Sequence, residues 1–277
     1  MDMEKKEIMV HAHRGASAYA PENTLASFRL AKEMGSDGIE CDIHLSRDGV
    51  FVVCHDETID RTSTGTGIIG QMDYADILRY DFGVRTNPMF AGQHAPTLEE
   101  MLDIVHDMDP INIEIKEFAG EEGAALDRFY DVLVKYDCVA RVIVSSFNEK
   151  ILQHLKELHP DIKTGYLYVA CSELPEDVQA ELRHAEEKAA GGELPKLLQM
   201  LRQAPERDVV ACAMDHGCDA IHPCLKFLTE ATVQRAHAKG LTVNCWTPCS
   251  RAEIAHGIAI GCDGIITNNP DWAKLLL

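Results

Sequence analysis

Two pairs of residues spaced i and i+2 give the first chemical signal in this sequence: Glu40 with Asp42, and Glu114 with Lys116. In an extended strand such residues project from one face. If the two segments are neighbouring strands, three carboxylates converge. Anions enclosed together repel unless a cation lies between them. Ligands that are all oxygen select a hard ion, so the expected cofactor is one divalent cation, Mg2+ or Ca2+, held by Glu40, Asp42 and Glu114. The competing interpretation, surface carboxylates satisfied by lysine or arginine, suits a single pair better than two pairs on consecutive strands.

His13 and His55 are the candidate proton carriers, because imidazole titrates near neutral pH and serves as acid or base. His222, at the end of a later strand, is a candidate substrate contact. Arg14 and Lys116 supply positive charge, the arginine as a bidentate grip on phosphate and the lysine as a point charge. That local charge is needed, because the formal net charge of −19 opposes any anionic substrate. The same charge argues against nucleic acid or an anionic membrane as partner. Trp246 either packs against a substrate's carbon skeleton or is buried in the core.

The elements that must position these residues alternate regularly. Short apolar or β-branched runs are followed by segments of helical period, the pattern of parallel strands joined by crossover helices. Eight strands are predicted: Ile8 to His13, Asp37 to Ile43, Ile111 to Lys116, Val142 to Ser146, Thr164 to Tyr168, Ala220 to His222, Thr242 to Trp246 and Gly264 to Thr267. An extra strand, Val50 to Cys54, follows a turn at Arg47-Asp48-Gly49. Thr97 with Glu100, and Ser250 with Glu253, have the spacing of helix capping boxes. Leu98, Met101, Leu102 and Val105, and then Ile151, Leu152, Leu155 and Leu158, mark apolar helix faces, while Gly240 and Gly261 are expected helix stops.

Eight such units in 277 residues fit a single-domain α/β fold, a (β/α)8 TIM barrel over residues 1–277. In that fold the strand ends that carry the polar residues form the active face. A loop-rich insertion after the second strand, about 56–96, is placed to cover one side of the mouth. A second, helical insertion spans about 175–204. The composition, 46% apolar and 26% charged, is that of a globular protein. No run approaches the roughly 20 apolar residues of a membrane span, and the acidic start lacks a signal-peptide core, so stable membrane insertion is not expected and a cytoplasmic location is. The ten cysteines are scattered without a Cys-x-x-Cys pair, which favours reduced thiols over disulfides or structural zinc.

The ordered set His13-Arg14-Gly15, Pro21-Glu22-Asn23-Thr24, Glu40-Cys41-Asp42, Asp48-Gly49 and His55-Asp56 resembles the signature of the glycerophosphodiester phosphodiesterase family. The likeness continues through Pro96-Thr97-Leu98-Glu99-Glu100, Glu114-Ile115-Lys116, Ser146-Phe147, Trp246-Thr247 and Asp263-Gly264-Ile265-Ile266-Thr267, and so covers nearly the whole chain. The resemblance implies hydrolysis of a small-molecule glycerophosphodiester to sn-glycerol 3-phosphate and an alcohol. Glu40, Asp42 and Glu114 would bind the ion, His13 and His55 would be the acid–base pair, and Arg14 and Lys116 would hold phosphate. The nucleophile would be water or the substrate's own glycerol hydroxyl. Two departures stand out: Asn268 follows Thr267 where relatives are expected to have an acidic residue, and Pro248-Cys249 follows the Trp-Thr pair where Val-Asn is more usual. The alternatives are a cyclising phospholipase D-like enzyme of the sphingomyelinase D type, and a catalytically silent barrel that binds a phosphorylated ligand.

Overall fold

Parallel strands cannot be joined by tight turns, so each parallel strand of this chain must be linked to the next through a crossover, here a helix. The computed structural model describes residues 7–116, 118, 122–169, 178 and 208–277. Its strands are β1 (Met9–His13), β2 (Gly38–Leu45), β3 (Phe51–Val53), β4 (Ile111–Ile115), β5 (Val142–Ser146), β6 (Lys163–Tyr168), β7 (Ala220–Pro223), β8 (Thr242–Trp246) and β9 (Gly264–Thr267). All but β3 are parallel, and β1 pairs with both β2 and β9, which closes an eight-stranded barrel. β3 runs antiparallel to the end of β2 after the predicted turn, where Gly49 has φ +81°.

The helices that carry the crossovers are α1 (Leu25–Glu33), α3 (Leu98–Val105), α4 (Glu122–Lys135), α5 (Glu149–Leu158), α6 (Val209–Asp215), α7 (Glu230–Ala238), α8 (Arg251–Ala259) and α9 (Pro270–Leu276), with a short α2 (Tyr74–Ile77) inside the first insertion. Both predicted capping boxes form. A third, Thr24 with Ser27, escaped prediction because serine replaces the usual acidic or amide partner. Gly240 and Gly261 follow their helices at φ +81° and +90°. The buried face of α5 ends at Leu155, and Leu158, assigned to it from the spacing, is exposed. The helical insertion expected at 175–204 lies outside the described residues apart from Val178.

The main core lies between barrel and helices. Outward-facing Val10, Ile39, Cys41, Ile43, Ile111, Ile113 and Val144 pack with helix residues such as Leu98, Met101, Phe129 and Leu152, each large apolar side chain contributing roughly 1.5–3 kcal/mol by leaving water. The 56–96 insertion has an apolar cluster of its own, built on Val52, Ile59, Ile69, Ile77 and Phe82. The nine cysteines among the described residues are free thiols. Among the described residues no helix is long and apolar enough to cross a membrane.

The inside of the barrel is polar. Below the mouth, His11, Asn112, His222 and Asn244 are buried together, with the Asn244 amide donating to His222 Nε2 at 3.0 Å and Asn112 Nδ2 3.4 Å from Nδ1. Gly165 makes room for this ring, since a Cβ there would lie 2.4 Å from His222 Nε2. Burial pushes His11 down to about 4, and burial with the neighbouring His11 charge pushes His222 down to about 3.

Both rings therefore stay neutral in the fold while the unfolded chain takes up protons near 6.5. Acid favours the unfolded state, so this stability is complete above about pH 6.5 and is lost as pH falls towards 4, at up to about 1.4 kcal/mol per pH unit for each ring. Urea unfolding at pH 7 and 4.5 should show a shallower acid loss in His222→Gln than in the parent. An equal loss in both would mean that His222 is not held neutral.

Candidate active site

Barrel register decides which carboxylates meet. β1 is aligned so that His13 faces Glu40, and β2 so that Asp42 faces Glu114. All four point inward at the C-terminal end of the barrel, the end where such folds place their chemistry. Glu40, Asp42 and Glu114 each bring an oxygen within 4.8 Å of the others, although they are only 4%, 1% and 7% exposed. Lys116, one residue beyond the end of β4 rather than within it, hydrogen-bonds Glu114 and stands 2.9 Å from Asp42 Oδ1. The Arg14 backbone N–H donates to Glu40 Oε2 at 3.0 Å, and its Nε lies 3.4 Å from Asp42 Oδ2.

The charge balance is incomplete. Burial opposes ionisation of Asp42, but Lys116 and Arg14 outweigh it and hold this carboxyl well below the usual range. Burial and then the Asp42 charge raise the other two, Glu114 to about 7 and Glu40 well above its ordinary value. Asp42 Oδ1 is buried without an aligned hydrogen-bond donor. An oxygen with a spare lone pair, beside two carboxyls that resist ionisation, fits a hard cation.

Both imidazoles are held by Nδ1, which donates to Asn268 Oδ1 at 2.6 Å in His13 and to Asp56 Oδ1 at 2.7 Å in His55. Each ring thus keeps Nε2 for exchange of a proton, and His13 Nε2 lies 3.8 Å from Glu40 Oε2. Burial first, and then the Arg14 charge, lowers His13 to about 4, while burial lowers His55 against the pull of Asp42. The backbone is strained here: Arg14 and Asn23 have φ of +55° and +56°, and the Asn23 amide donates to Asp42 Oδ2 at 2.8 Å. Gly15 allows the tight passage, since a Cβ would fall 2.4 Å from Ser27 Oγ.

A cleft of about 90 Å³ joins these groups, lined by His13, Arg14, Glu40, His55, Glu114 and, on its apolar side, Phe147 and Trp246. The rings of Phe147 and Trp246 meet edge to face at 5.9 Å. Trp246 Nε1 donates to the His222 main-chain carbonyl, the link between His222 and the cleft lining. Its imidazole lies in the polar layer below, so a direct substrate contact by that ring is not what the geometry offers.

The sequence reading gave no role to Asn23, Asp56, Phe147 or Asn268. Asp56 carried a signal, an acid directly after a candidate catalytic histidine. Asn268, which meets His13 from the far end of the chain, was marked only as a departure from the family pattern, and nothing in the sequence pointed to His13 as its partner. The two departures from the family pattern also touch, Asn268 Nδ2 donating to Cys249 Sγ at 3.5 Å.

A (β/α)8 barrel whose mouth joins a carboxylate cluster able to hold a hard cation, two Nε2-presenting histidines and two cationic side chains has the groups that acid–base chemistry on a phosphate-bearing substrate calls for. Residues 13–272 match the family model described as the glycerophosphoryl diester phosphodiesterase family. A glycerophosphodiester phosphodiesterase of Caldanaerobacter subterraneus subsp. tengcongensis is 31% identical over 264 residues, covering 95% of each chain. Among solved structures, a phosphodiesterase of Oleispira antarctica in complex with its product sn-glycerol-3-phosphate superposes with a TM-score of 0.76 at 27% identity, over 97% of this chain and 96% of that one. A Silicibacter pomeroyi structure, at 23% identity and a TM-score of 0.80 over 99% and 94%, bears on the fold alone. The chain belongs to the glycerophosphoryl diester phosphodiesterase family, enzymes that hydrolyse glycerophosphodiesters.

If the carboxylates hold a cation, Mg2+ or Ca2+ should raise the thermal midpoint, with about 2.7 kcal/mol of stabilisation at a hundredfold excess over Kd. Because Glu114 sits at about 7, binding must expel protons below that pH, and affinity should climb from pH 6 to 8. Calorimetry in buffers of different ionisation enthalpy would detect the proton release. Glu114→Gln should weaken binding, and a midpoint indifferent to both ions would refute the site.

Proposed function

We propose that this chain hydrolyses glycerophosphodiesters to sn-glycerol 3-phosphate and an alcohol, with His13 and His55 as the acid–base pair. Glu40, Asp42 and Glu114 would hold one Mg2+ or Ca2+, which when bound supplies charge neutralisation at the phosphoryl oxygens. The observation that carries the proposal is the shared cleft, where two imidazoles with Nε2 available flank the carboxylate cluster beside Arg14 and Lys116. The relative solved with sn-glycerol-3-phosphate supports the choice of product.

Arg14 and Lys116 draw the phosphate in against the net negative charge and fix its oxygens. Trp246, with Phe147 beside it, offers an apolar wall to the glycerol carbons. One imidazole takes the proton from the attacking hydroxyl, and the other delivers a proton to the oxygen of the departing alcohol. Their Nδ1 bonds prevent the rings from presenting the wrong nitrogen. The two are not equivalent, since His55 leans on a carboxylate and His13 on a neutral amide.

Purified protein should release glycerol 3-phosphate from glycerophosphocholine, lose that activity on chelation and recover it with Mg2+ or Ca2+. His13→Ala and His55→Ala should each lower kcat by about 10²- to 10⁴-fold. A diester with a strongly acidic leaving alcohol should rescue the variant that lacks the general acid and leave the other slow. Turnover untouched by either substitution, or by chelation, would end this assignment. A cyclic phosphate seen by phosphorus NMR would identify the glycerol hydroxyl as nucleophile.

A further inference from the structure

Arg61 lies outside the cleft lining and belongs to no motif quoted for the family resemblance, yet it makes the densest set of charged hydrogen bonds near the site. Its Nε and Nη2 donate to Asp56 Oδ2 and Oδ1 at 2.7 and 3.1 Å. From its other edge, Nη1 and Nη2 donate to Glu22 Oε2 and Oε1 at 2.8 and 2.7 Å. One guanidinium is thus gripped by two carboxylates, each in bidentate geometry. Each carboxylate also holds a member of the site: Asp56 Oδ1 accepts from His55 Nδ1 at 2.7 Å, and Glu22 Oε1 accepts from Arg14 Nη1 at 3.0 Å.

We propose that Arg61 is a positioning residue, a brace that holds the His55 imidazole and the Arg14 guanidinium in fixed relation across the mouth of the barrel. His55 and Asp56 come from the loop after β3, whereas Arg14 and Glu22 come from the loop after β1. No other charged link between these two loops involves His55 or Arg14 among the described residues. The brace stands on a firm base, because Ile59 and Ser63 on either side of it are fully buried. Isolated surface ion pairs stabilise little, but bidentate pairs joined in a network are the recognised exception. Hydrogen bonding to Arg61 brings Asp56 down to about 2 and, against burial, lowers Glu22, so both carboxylates stay ionised at working pH. Only an arginine can do this, since lysine has no planar fork to reach both partners.

The assignment of Arg61 to catalysis rests on the acid–base role proposed for His55, whereas its effect on the His55 ring does not. Two experiments separate these. In the first, Arg61→Ala is expected to lower kcat on glycerophosphocholine by about 10- to 100-fold, as loss of an orienting partner typically does. KM should move less than kcat, because the Arg14 guanidinium keeps its pairs with Asp42 and Glu22 and loses only the tie from Glu22 to the His55 side, and cation affinity should not change. Millimolar guanidinium should restore part of the lost kcat, and Arg61→Lys should recover little. Arg47→Ala, which removes a surface pair with Asp73, serves as the control and should behave as the parent. In the second experiment, nitrogen NMR of the imidazoles, without substrate, should show the parent His55 ring as the Nδ1–H tautomer and the Arg61→Ala ring as a mixture.

Unchanged kcat in Arg61→Ala, or a loss that guanidinium does not reverse and that follows weakened cation binding, would overturn the catalytic role. Identical His55 spectra in parent and variant would overturn the brace itself. Should Arg61→Ala fail to fold, Arg61→Lys takes its place: parental activity and a parental tautomer would refute the brace, and a lowered kcat with a mixed tautomer would support it. A parent that folds but does not turn over would defeat the function proposed above and leave the NMR test standing.

Discussion

Glu40, Asp42 and Glu114 share one nearly closed end of the barrel, and their mutual repulsion must be met by positive charge from somewhere. Much of the surrounding architecture answers that demand. Arg14 is turned back over the strand ends by a left-handed backbone and a glycine, and Lys116 leaves β4 at the level of Asp42. These two cations secure Asp42 but leave Glu40 and Glu114 resisting ionisation. The deficit is the physical reason why the site fits a divalent ion, whose charge would offset the carboxylates where the net charge of −19 otherwise opposes an anionic substrate.

Order at the mouth comes from side chains that do not face the substrate. Asn268 and Asp56 select one nitrogen of each catalytic candidate, and Asn23 and the Arg14 amide fix the carboxylates. A ring or carboxylate free to rotate would spend little time in a reactive geometry, so such partners affect rate without touching the reacting atoms. The two histidines differ in kind of partner, amide against carboxylate.

Beneath the site, the barrel is filled by His11, Asn112, His222 and Asn244 in place of the branched aliphatic layers usual in this fold. Hydrogen bonds between the amides and the His222 ring, with glycine at 165 where that imidazole needs space, hold these buried polar groups together. The arrangement has a consequence for stability, because rings that must stay neutral make the barrel sensitive to acid.

Local pattern alone was enough to read the strand and helix alternation, the hairpin, two capping boxes and the inward convergence of Glu40, Asp42 and Glu114. Most of these depend on spacing along one element or two consecutive ones, where the periods of 2 and 3.6 are set by backbone geometry, and the convergence required in addition that the strands of Asp42 and Glu114 be neighbours, as they are. The identity of the family was likewise legible, since its signature is an ordered set of short motifs. Leu158 shows the limit: its spacing fits the apolar face of α5, but where that face stops depends on what it packs against. His222 shows it more sharply, because a strand-end histidine points to a substrate only if its ring reaches the mouth, and closure of the barrel turned this ring into the interior. The pairing of His13 with Asn268, across 255 positions, and of Arg61 with Glu22 could come only from the closed barrel and its loops. Residue types and spacing determined what chemistry was possible here, and tertiary closure decided which groups became neighbours, because contact between distant segments is a property of the folded chain as a whole.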